Sequence, residues 1–146
     1  MALKEIKKHG MFMGRLPYGA DLLEELTRIC EDQGISNGRL EAIGAVRKAC
    51  IGFYDQALRK YEFTTLDTSL EILNLSGNIS VKNGNPVVHA HITLADSAGR
   101  AFGGHLAAGT IIFACECIIE SFDGPVFKRG YDEETGLPLW EDCILN

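Results

Sequence analysis

One amphipathic helix near the start of the chain, followed only by extended patterns, most constrains the fold. The apolar positions recur at helical spacing and form a single stripe, which consists of Leu22, Leu23, Leu26, Ile29 and Cys30. Acidic residues in the first turn complement the positive end of the helix, and Gly34 is a natural C-terminal stop. The pattern therefore predicts a helix over residues 20–33.

The rest of the chain has the features of β-strands separated by turns. Extended runs are predicted at about residues 4–16, 39–54, 57–65, 70–81, 87–94, 101–106 and 110–121. Gly44 and Gly52 are predicted to mark β-bulges within the second run. One helix followed by a meander of strands predicts an α+β fold with a largely antiparallel sheet. We expect a single domain over residues 1–146.

Three segments are predicted to be turns. Lys82-Asn-Gly-Asn85 is a strong hairpin signal, because Asn-Gly accepts the backbone geometry of a tight turn. Residues 96–99 predict a second turn, and the polar residues 131–138 predict an irregular segment before a short tail. The strands on either side of the first two turns should therefore pair with each other.

Composition and charge exclude several classes of protein. Hydrophobic residues make up 46% and charged residues 23%, which is typical of a globular protein. The net charge of −6 disfavours nucleic-acid binding, because that affinity comes largely from neutralised phosphates. The charged N-terminal residues do not resemble a secretory signal, and the longest uncharged stretch, 101–115, is too short to span a bilayer. We therefore expect a cytoplasmic protein with no membrane segment.

The sequence predicts buried thiols at Cys30, Cys115 and Cys117. The chain has 5 cysteines, and no pair has the C-x-x-C spacing of many metal and redox sites. In a reducing compartment such residues stay reduced and pack as small hydrophobic groups. Cys115 and Cys117 could form a thiolate pair for a metal, although their neighbours in the sequence are apolar.

Two histidines in the run 87–94 point to the same side of a strand. Side chains alternate between faces along a strand, so Val88, Ala90, Ile92 and Leu94 form an apolar face. His89 and His91 lie on the opposite face, roughly 6–7 Å apart. Imidazoles at this spacing can converge on one zinc ion, whose Zn–N distances are about 2.0–2.1 Å. The alternative is that the histidines belong to a polar interface.

His105 joins these histidines only if the pairing of its strand has the correct register. A simple turn at 96–99 sets Ala90 opposite His105, which places His105 on the wrong face. One extra residue in the returning strand sets His105 opposite His91. Gly103 and Gly104 are predicted to hold this bulge and to leave room for a bound ion or ligand.

Glu116 is the candidate acidic partner of these histidines. The run 110–121 is predicted to direct Ile111, Phe113, Cys115, Cys117 and Ile119 toward the core. Glu116 then lies on the opposite face between Ala114 and Ile118. It could bind the metal, orient a ligating imidazole or act as a catalytic base. The alternative is a carboxylate at a strand edge or an interface.

An ordered series of motifs resembles the PPC domain, which is conserved in plants and prokaryotes. The motifs are Glu71-Ile-Leu-Asn-Leu-Ser-Gly77, His89-Ala-His91, Gly103-Gly-His-Leu106 with Gly109, and Cys115-Glu-Cys-Ile-Ile119. The resemblance implies an α+β fold similar to that of acetolactate decarboxylase, a homotrimer, and a metal on His89, His91 and His105. Prokaryotic members are often labelled DNA-binding proteins, but this chain lacks the Arg-Gly-Arg-Pro core of an AT-hook.

Three functions follow as hypotheses. The first is a homotrimeric domain that binds a divalent transition metal, zinc by preference, together with a small ligand or partner. The second is a metal-dependent lyase or hydrolase, in which Glu116 is the base and Arg15 and Arg47 hold a substrate anion. The third is an architectural DNA-binding protein, as the family label suggests.

Overall fold

The predicted helix is confirmed in the computed structural model, which describes residues 3–141. Helix α1 covers Leu22–Asp32, and the side chain of Asp21 accepts hydrogen bonds from the first backbone N–H groups of the helix. This cap satisfies donors that have no partner inside the helix. Leu22, Leu26 and Cys30 are completely buried, so the apolar stripe faces the core.

The described residues form nine strands, one before the helix and eight after it. They are β1 Lys7–Leu16, β2 Gly38–Asp55, β3 Lys60–Leu66, β4 Leu70–Lys82, β5 Asn85–Ala95, β6 Ala101–Leu106, β7 Ile111–Asp123, β8 Arg129–Tyr131 and β9 Pro138–Trp140. Strands β1 to β7 agree with the predicted runs to within a few residues. The sequence did not predict β8 and β9, because strands of 3 residues are too short to show an alternating pattern.

The first seven strands form one antiparallel sheet, which confirms the α+β prediction. The order of the strands is β1-β7-β2-β4-β5-β6, and β3 extends the sheet from β2. The far end of β2 also pairs with β6, so β2, β4, β5 and β6 form a closed ring of pairings. Helix α1 packs against β5. Buried side chains from the helix and the sheet form a single core.

The side chains of strand β5 alternate between the core and the opposite face of the sheet. Its inward side chains, Val88, Ala90, Ile92 and Leu94, are all buried, as the alternation predicted. The hairpin before it is also confirmed, because Asn83 and Gly84 both have positive φ angles. Within residues 3–141, no helix has the length and apolar character that a membrane crossing requires.

The prediction that Ile111 and Phe113 face the core is wrong. The pairing of β7 with β2 shifts between Ala114 and Ile112, so one extra residue enters β7 at Phe113. A shift of one residue exchanges the two faces of a strand. The buried apolar side chains of β7 are therefore Ile112, Cys115, Cys117 and Ile119, and Phe113 is 57% exposed.

Only one of the two bulges predicted in β2, at Gly44 and Gly52, is present. Gly44 has a φ of 147° and lies beside a shift in the pairing of β2 with β4, which confirms the prediction. Gly52 pairs with Phe63 and His105 without a shift, so the bulge predicted there is wrong. A Cβ at Gly52 would lie 3.1 Å from the rings of Tyr61 and Phe63. A side chain at position 52 would therefore require these rings to shift by a few tenths of an ångström.

The register of the β5–β6 hairpin comes from its turn. His91 pairs with His105 as predicted, but the pairing runs without a shift from Ala95 and Ala101 onward. The bulge predicted at Gly103 and Gly104 is therefore wrong. The turn covers residues 96–100 and is one residue longer than the predicted turn 96–99. Within it, the Asp96 carboxylate accepts hydrogen bonds from two backbone N–H groups.

Gly103 and Gly104 allow neighbouring strands to approach closely. A Cβ at Gly103 would overlap the carbonyl oxygen of Ile92 in β5. A Cβ at Gly104 would lie 2.7 Å from the carbonyl oxygen of Gly52 in β2. Side chains at these positions would force β5, β6 and β2 apart. The two glycines thus support the ring of strands, and their predicted contact with an ion or ligand stays a prediction.

The substitution Gly103→Ala tests this packing role. We expect it to lower the free energy of unfolding by about 1–3 kcal/mol, because the methyl group forces a backbone shift. Gly14→Ala is the matched control, since nothing lies within 4 Å of a Cβ at that strand position. Thermal unfolding of both variants measures the difference. Equal unfolding temperatures for the two variants would contradict the packing role.

Candidate metal centre

Three imidazoles come together on the face of the sheet opposite the core. His89 and His91 lie on β5, and the pairing of β5 with β6 adds His105 directly opposite His91. One ring nitrogen from each residue lies within 4.8 Å of the other two. The ring centroids are 5.0–5.7 Å apart. Small rotations of the rings would allow all three nitrogens to bind one ion.

The state of these imidazoles suits metal binding. The Nδ1 atom of His105 is buried and has no hydrogen-bond partner among the described residues. Such an atom is unfavourable unless a donor or an ion reaches it. Burial lowers the pKa of His105, and burial together with Arg129 lowers the pKa of His89 to about 4. Both rings are thus neutral near pH 7, which is the form that binds a metal.

Arg129 and Tyr61 complete the surroundings of the histidines. The Arg129 guanidinium donates to Asn78 Oδ1 and Ser80 Oγ at 2.7 Å, and its Nη2 lies 3.4 Å from Nδ1 of His89. The Tyr61 ring packs against His105 with a centroid distance of 4.9 Å. Neither residue was predicted from the sequence. Neither lies in a motif with the histidines, because β3 and β8 bring them from distant parts of the chain.

A cleft of about 190 Å³ opens beside His89 and His105. Its other lining residues are Tyr61, Lys82, Val87, Val88, Arg129, Leu137, Pro138 and Leu139. Leu137 and the first two residues of strand β9 thus line the cleft together with two of the three histidines. The cleft gives a small molecule access to the imidazoles.

The structure does not bring Glu116 or Arg15 to the histidines within one chain. Glu116 is exposed on β7, and strands β2 and β4 lie between β7 and β5. Three strand spacings correspond to roughly 14 Å, which is too far for a shared ion. Arg15 pairs with Glu116 from β1, on the far side of β7. The catalytic roles of both residues stay predictions.

Arg47 also lies away from the histidines. Its Nη1 donates to the hydroxyl of Tyr18 at 3.1 Å, and its guanidinium packs over the Tyr18 ring. Tyr18 in turn contacts Phe113 edge to face. Arg47 thus belongs to an exposed aromatic cluster, and its role in holding an anion stays a prediction.

The thiols are poorly suited to a rival metal site. Cys30, Cys115 and Cys117 are buried, as the sequence predicted. Burial raises the pKa of Cys115 to about 12 and also raises the pKa of Cys117. Metals bind the thiolate form, so this apolar setting disfavours a site on the pair.

Two solved structures resemble the whole chain. One is a metal-containing protein from Archaeoglobus fulgidus, which is 41% identical with a TM-score of 0.91 over 96% of this chain and 99% of that protein. The other is a plant- and prokaryote-conserved (PPC) protein from Pyrococcus horikoshii. It is 31% identical with a TM-score of 0.93 over 99% of this chain and 100% of that protein.

More distant similarity supports the fold alone. Acetolactate decarboxylase from Bacillus subtilis is 14% identical, and its TM-score is 0.55 over 81% of this chain and 55% of that enzyme. This confirms the fold similarity that the sequence motifs implied.

The sequence also matches a region of a much longer protein. The bifunctional protein GlmU of Synechococcus sp. (strain JA-3-3Ab) is 36% identical over 124 residues, which cover 84% of this chain. The chain spans about a fifth of the length of that protein, with 19% covered. The similarity is therefore confined to one part of it.

The model of one protein family matches most of the chain. This family is the Plants and Prokaryotes Conserved (PCC) domain, which the solved relative abbreviates as PPC, and the match covers residues 4–123. It includes α1 and strands β1 to β7, and therefore all three histidines of the cluster. The chain belongs to the Plants and Prokaryotes Conserved domain family.

Proposed function

We propose that this protein is a homotrimeric metal-binding protein in which His89, His91 and His105 hold a zinc ion that binds a small ligand. The observation that carries the proposal is the convergence of three ring nitrogens within 4.8 Å of one another. The buried Nδ1 of His105 supports it, because an ion would satisfy an atom that has no partner among residues 3–141. The similarity to a metal-containing protein from Archaeoglobus fulgidus also supports it.

Zinc fits the composition of the site. Three neutral imidazoles suit zinc, nickel and copper, so the choice depends on coordination. Zinc with three protein ligands keeps a fourth position open for water or another ligand. The cleft beside His89 and His105 would give a small molecule a path to that position.

The apolar outer face of the sheet supports an oligomer. Large hydrophobic side chains there are 52–74% exposed, and they include Met13, Ile43, Leu73 and Phe113. Ile43 lines two adjoining hollows, one shared with Met13 and one with Leu73. Monomeric proteins rarely expose a contiguous apolar patch of this kind. We assign this face to the contacts between subunits, and Glu116 and Arg15 would then lie at the interface.

The metal site is tested by the double variant His89→Ala, His91→Ala. We expect the purified wild-type protein to contain metal and the variant to lose it, because one imidazole cannot hold the ion alone. His9→Ala is the matched control, since His9 is exposed on β1 and contacts Asp123. Elemental analysis by mass spectrometry measures the metal content. Equal metal in the double variant and the control would reject the site.

The oligomer is tested by Ile43→Glu. We expect this variant to sediment as a smaller species than the wild type, because an unpaired charge in an apolar interface opposes association. Leu58→Glu provides the control, since Leu58 is 61% exposed in the turn between β2 and β3. Analytical ultracentrifugation reports the masses. A wild-type protein that sediments as a monomer would contradict the proposed trimer.

The other two hypotheses stay predictions with clear tests. An enzyme that uses Glu116 as its base should lose turnover in Glu116→Gln and keep its metal. Because Glu116 lies far from the histidines of its own chain, it would have to act on the metal site of a neighbouring subunit. A DNA-binding protein should bind duplex DNA with an affinity that falls steeply with salt, and the net charge of −6 opposes such binding.

A further inference from the structure

The metal centre lacks negative charge to balance an ion. All three side chains of the cluster are imidazoles, which stay neutral when they bind a metal. The adjoining cleft is lined by two cationic side chains, Lys82 and Arg129, and its lining contains no carboxylate among the described residues. A bound divalent ion would therefore add its charge to a site that is already positive. Such a site attracts an anion.

Among the described residues, the groups that accept hydrogen bonds from Arg129 are all neutral. Its Nε donates to the Ser80 hydroxyl, Nη2 to the Asn78 amide oxygen and Nη1 to the carbonyl oxygen of Pro138 at 2.9 Å. The guanidinium also lies 6.0 Å from the centre of the Trp140 ring. These contacts fix its orientation, and no carboxylate within residues 3–141 forms an ion pair with it. A partly buried cation in that state favours an anionic partner.

Metal binding would release one donor of Arg129 from its present partner. An arginine N–H can only donate, so Nδ1 of His89 accepts in the 3.4 Å contact with Nη2. If His89 binds an ion through Nδ1, the ion takes that lone pair. If it binds through Nε2, the neutral ring carries its proton on Nδ1. In both cases Arg129 loses this acceptor and can donate to a ligand on the ion.

The size and walls of the cleft restrict the anion. A volume of about 190 Å³ holds roughly six groups the size of water, since one water occupies about 30 Å³ in the liquid. The apolar part of the wall consists of Tyr61, Val87, Val88, Leu137, Pro138 and Leu139. These surfaces suit a short hydrocarbon chain next to the charged group and do not suit the hydrated oxygens of inorganic phosphate.

From these features we infer that the cleft takes a small organic carboxylate whose oxygens bridge the metal ion and the Arg129 guanidinium. Arg129 is then the residue that selects an anion, and the apolar wall selects a short aliphatic tail. This inference rests on the proposed metal-binding function. Arg129 lies outside the residues 4–123 that match the family model, so this role belongs to the part of the chain that the match does not cover.

The experiment uses the full chain loaded with cobalt(II), whose visible spectrum reports ligands that enter the metal coordination. Butyrate is the probe, and butyramide, its neutral analogue, and inorganic phosphate are compared with it. We expect butyrate to shift the spectrum of the wild type. Arg129→Met should weaken butyrate binding by about 10- to 100-fold at unchanged metal content, as for a lost charge-assisted hydrogen bond.

Arg59→Met is the matched control for the loss of an arginine. Arg59 donates to the backbone carbonyls of Glu133 and Glu134, so it also contacts the segment between β8 and β9. We expect its butyrate affinity to equal that of the wild type. Arg129→Lys should bind butyrate with intermediate affinity, because lysine keeps the positive charge but lacks the planar set of N–H donors of a guanidinium.

The outcomes separate the two proposals. Metal retention with unchanged butyrate affinity in Arg129→Met overturns the role of Arg129 and leaves the metal site standing. A wild type that binds no cobalt overturns the metal-binding function, and the inference falls with it. Butyramide or phosphate binding as tightly as butyrate overturns the carboxylate preference. This last comparison uses only the wild type, so it holds even if Arg129→Met fails to fold.

Discussion

The pairing of His91 with His105 across two adjacent strands is the contact on which the metal centre depends. Side chains on a strand alternate between faces, so a register displaced by one residue would turn His105 into the core. The Asp96 carboxylate holds the turn that sets this register, by accepting the N–H groups of Ala98 and Arg100. Gly103 then lets the returning strand approach β5 closely. Local turn chemistry thus controls the composition of the site.

The centre combines elements that are far apart in the chain. Two histidines come from β5 and one from β6, whereas Tyr61 comes from β3 and Arg129 from β8. Partial burial keeps the imidazoles of His89 and His105 neutral, and the guanidinium beside them keeps its charge. Three imidazoles beside the Arg129 guanidinium, which forms no ion pair among the described residues, differ from a structural zinc site closed by four protein ligands. This arrangement suits a centre that exchanges an external anionic ligand.

The two faces of the sheet have separate roles. The inner face packs against α1 and supplies the core. The outer face carries the histidines at one edge and exposed hydrophobic side chains toward the other, around Ile43 and Phe113. Glu116 belongs to the second region, where it lines two hollows together with Ile43. The proposed metal site and the proposed subunit contacts therefore use one face of the sheet without sharing residues.

The alternation and the turn signals were enough to predict α1, strands β1 to β7, the inward side of β5 and the three histidines. These features depend on neighbours within a few residues, where periodicity has direct physical meaning. The β5–β6 register depends on the hydrogen bonds of Asp96 within the turn, which the alternating pattern does not show. The bulge that exposes Phe113 and the distance of Glu116 from the histidines depend on pairing between distant strands. Arg129 reaches His89 for the same reason: strand β8 docks beside β4, and only the packed chain brings the two residues together.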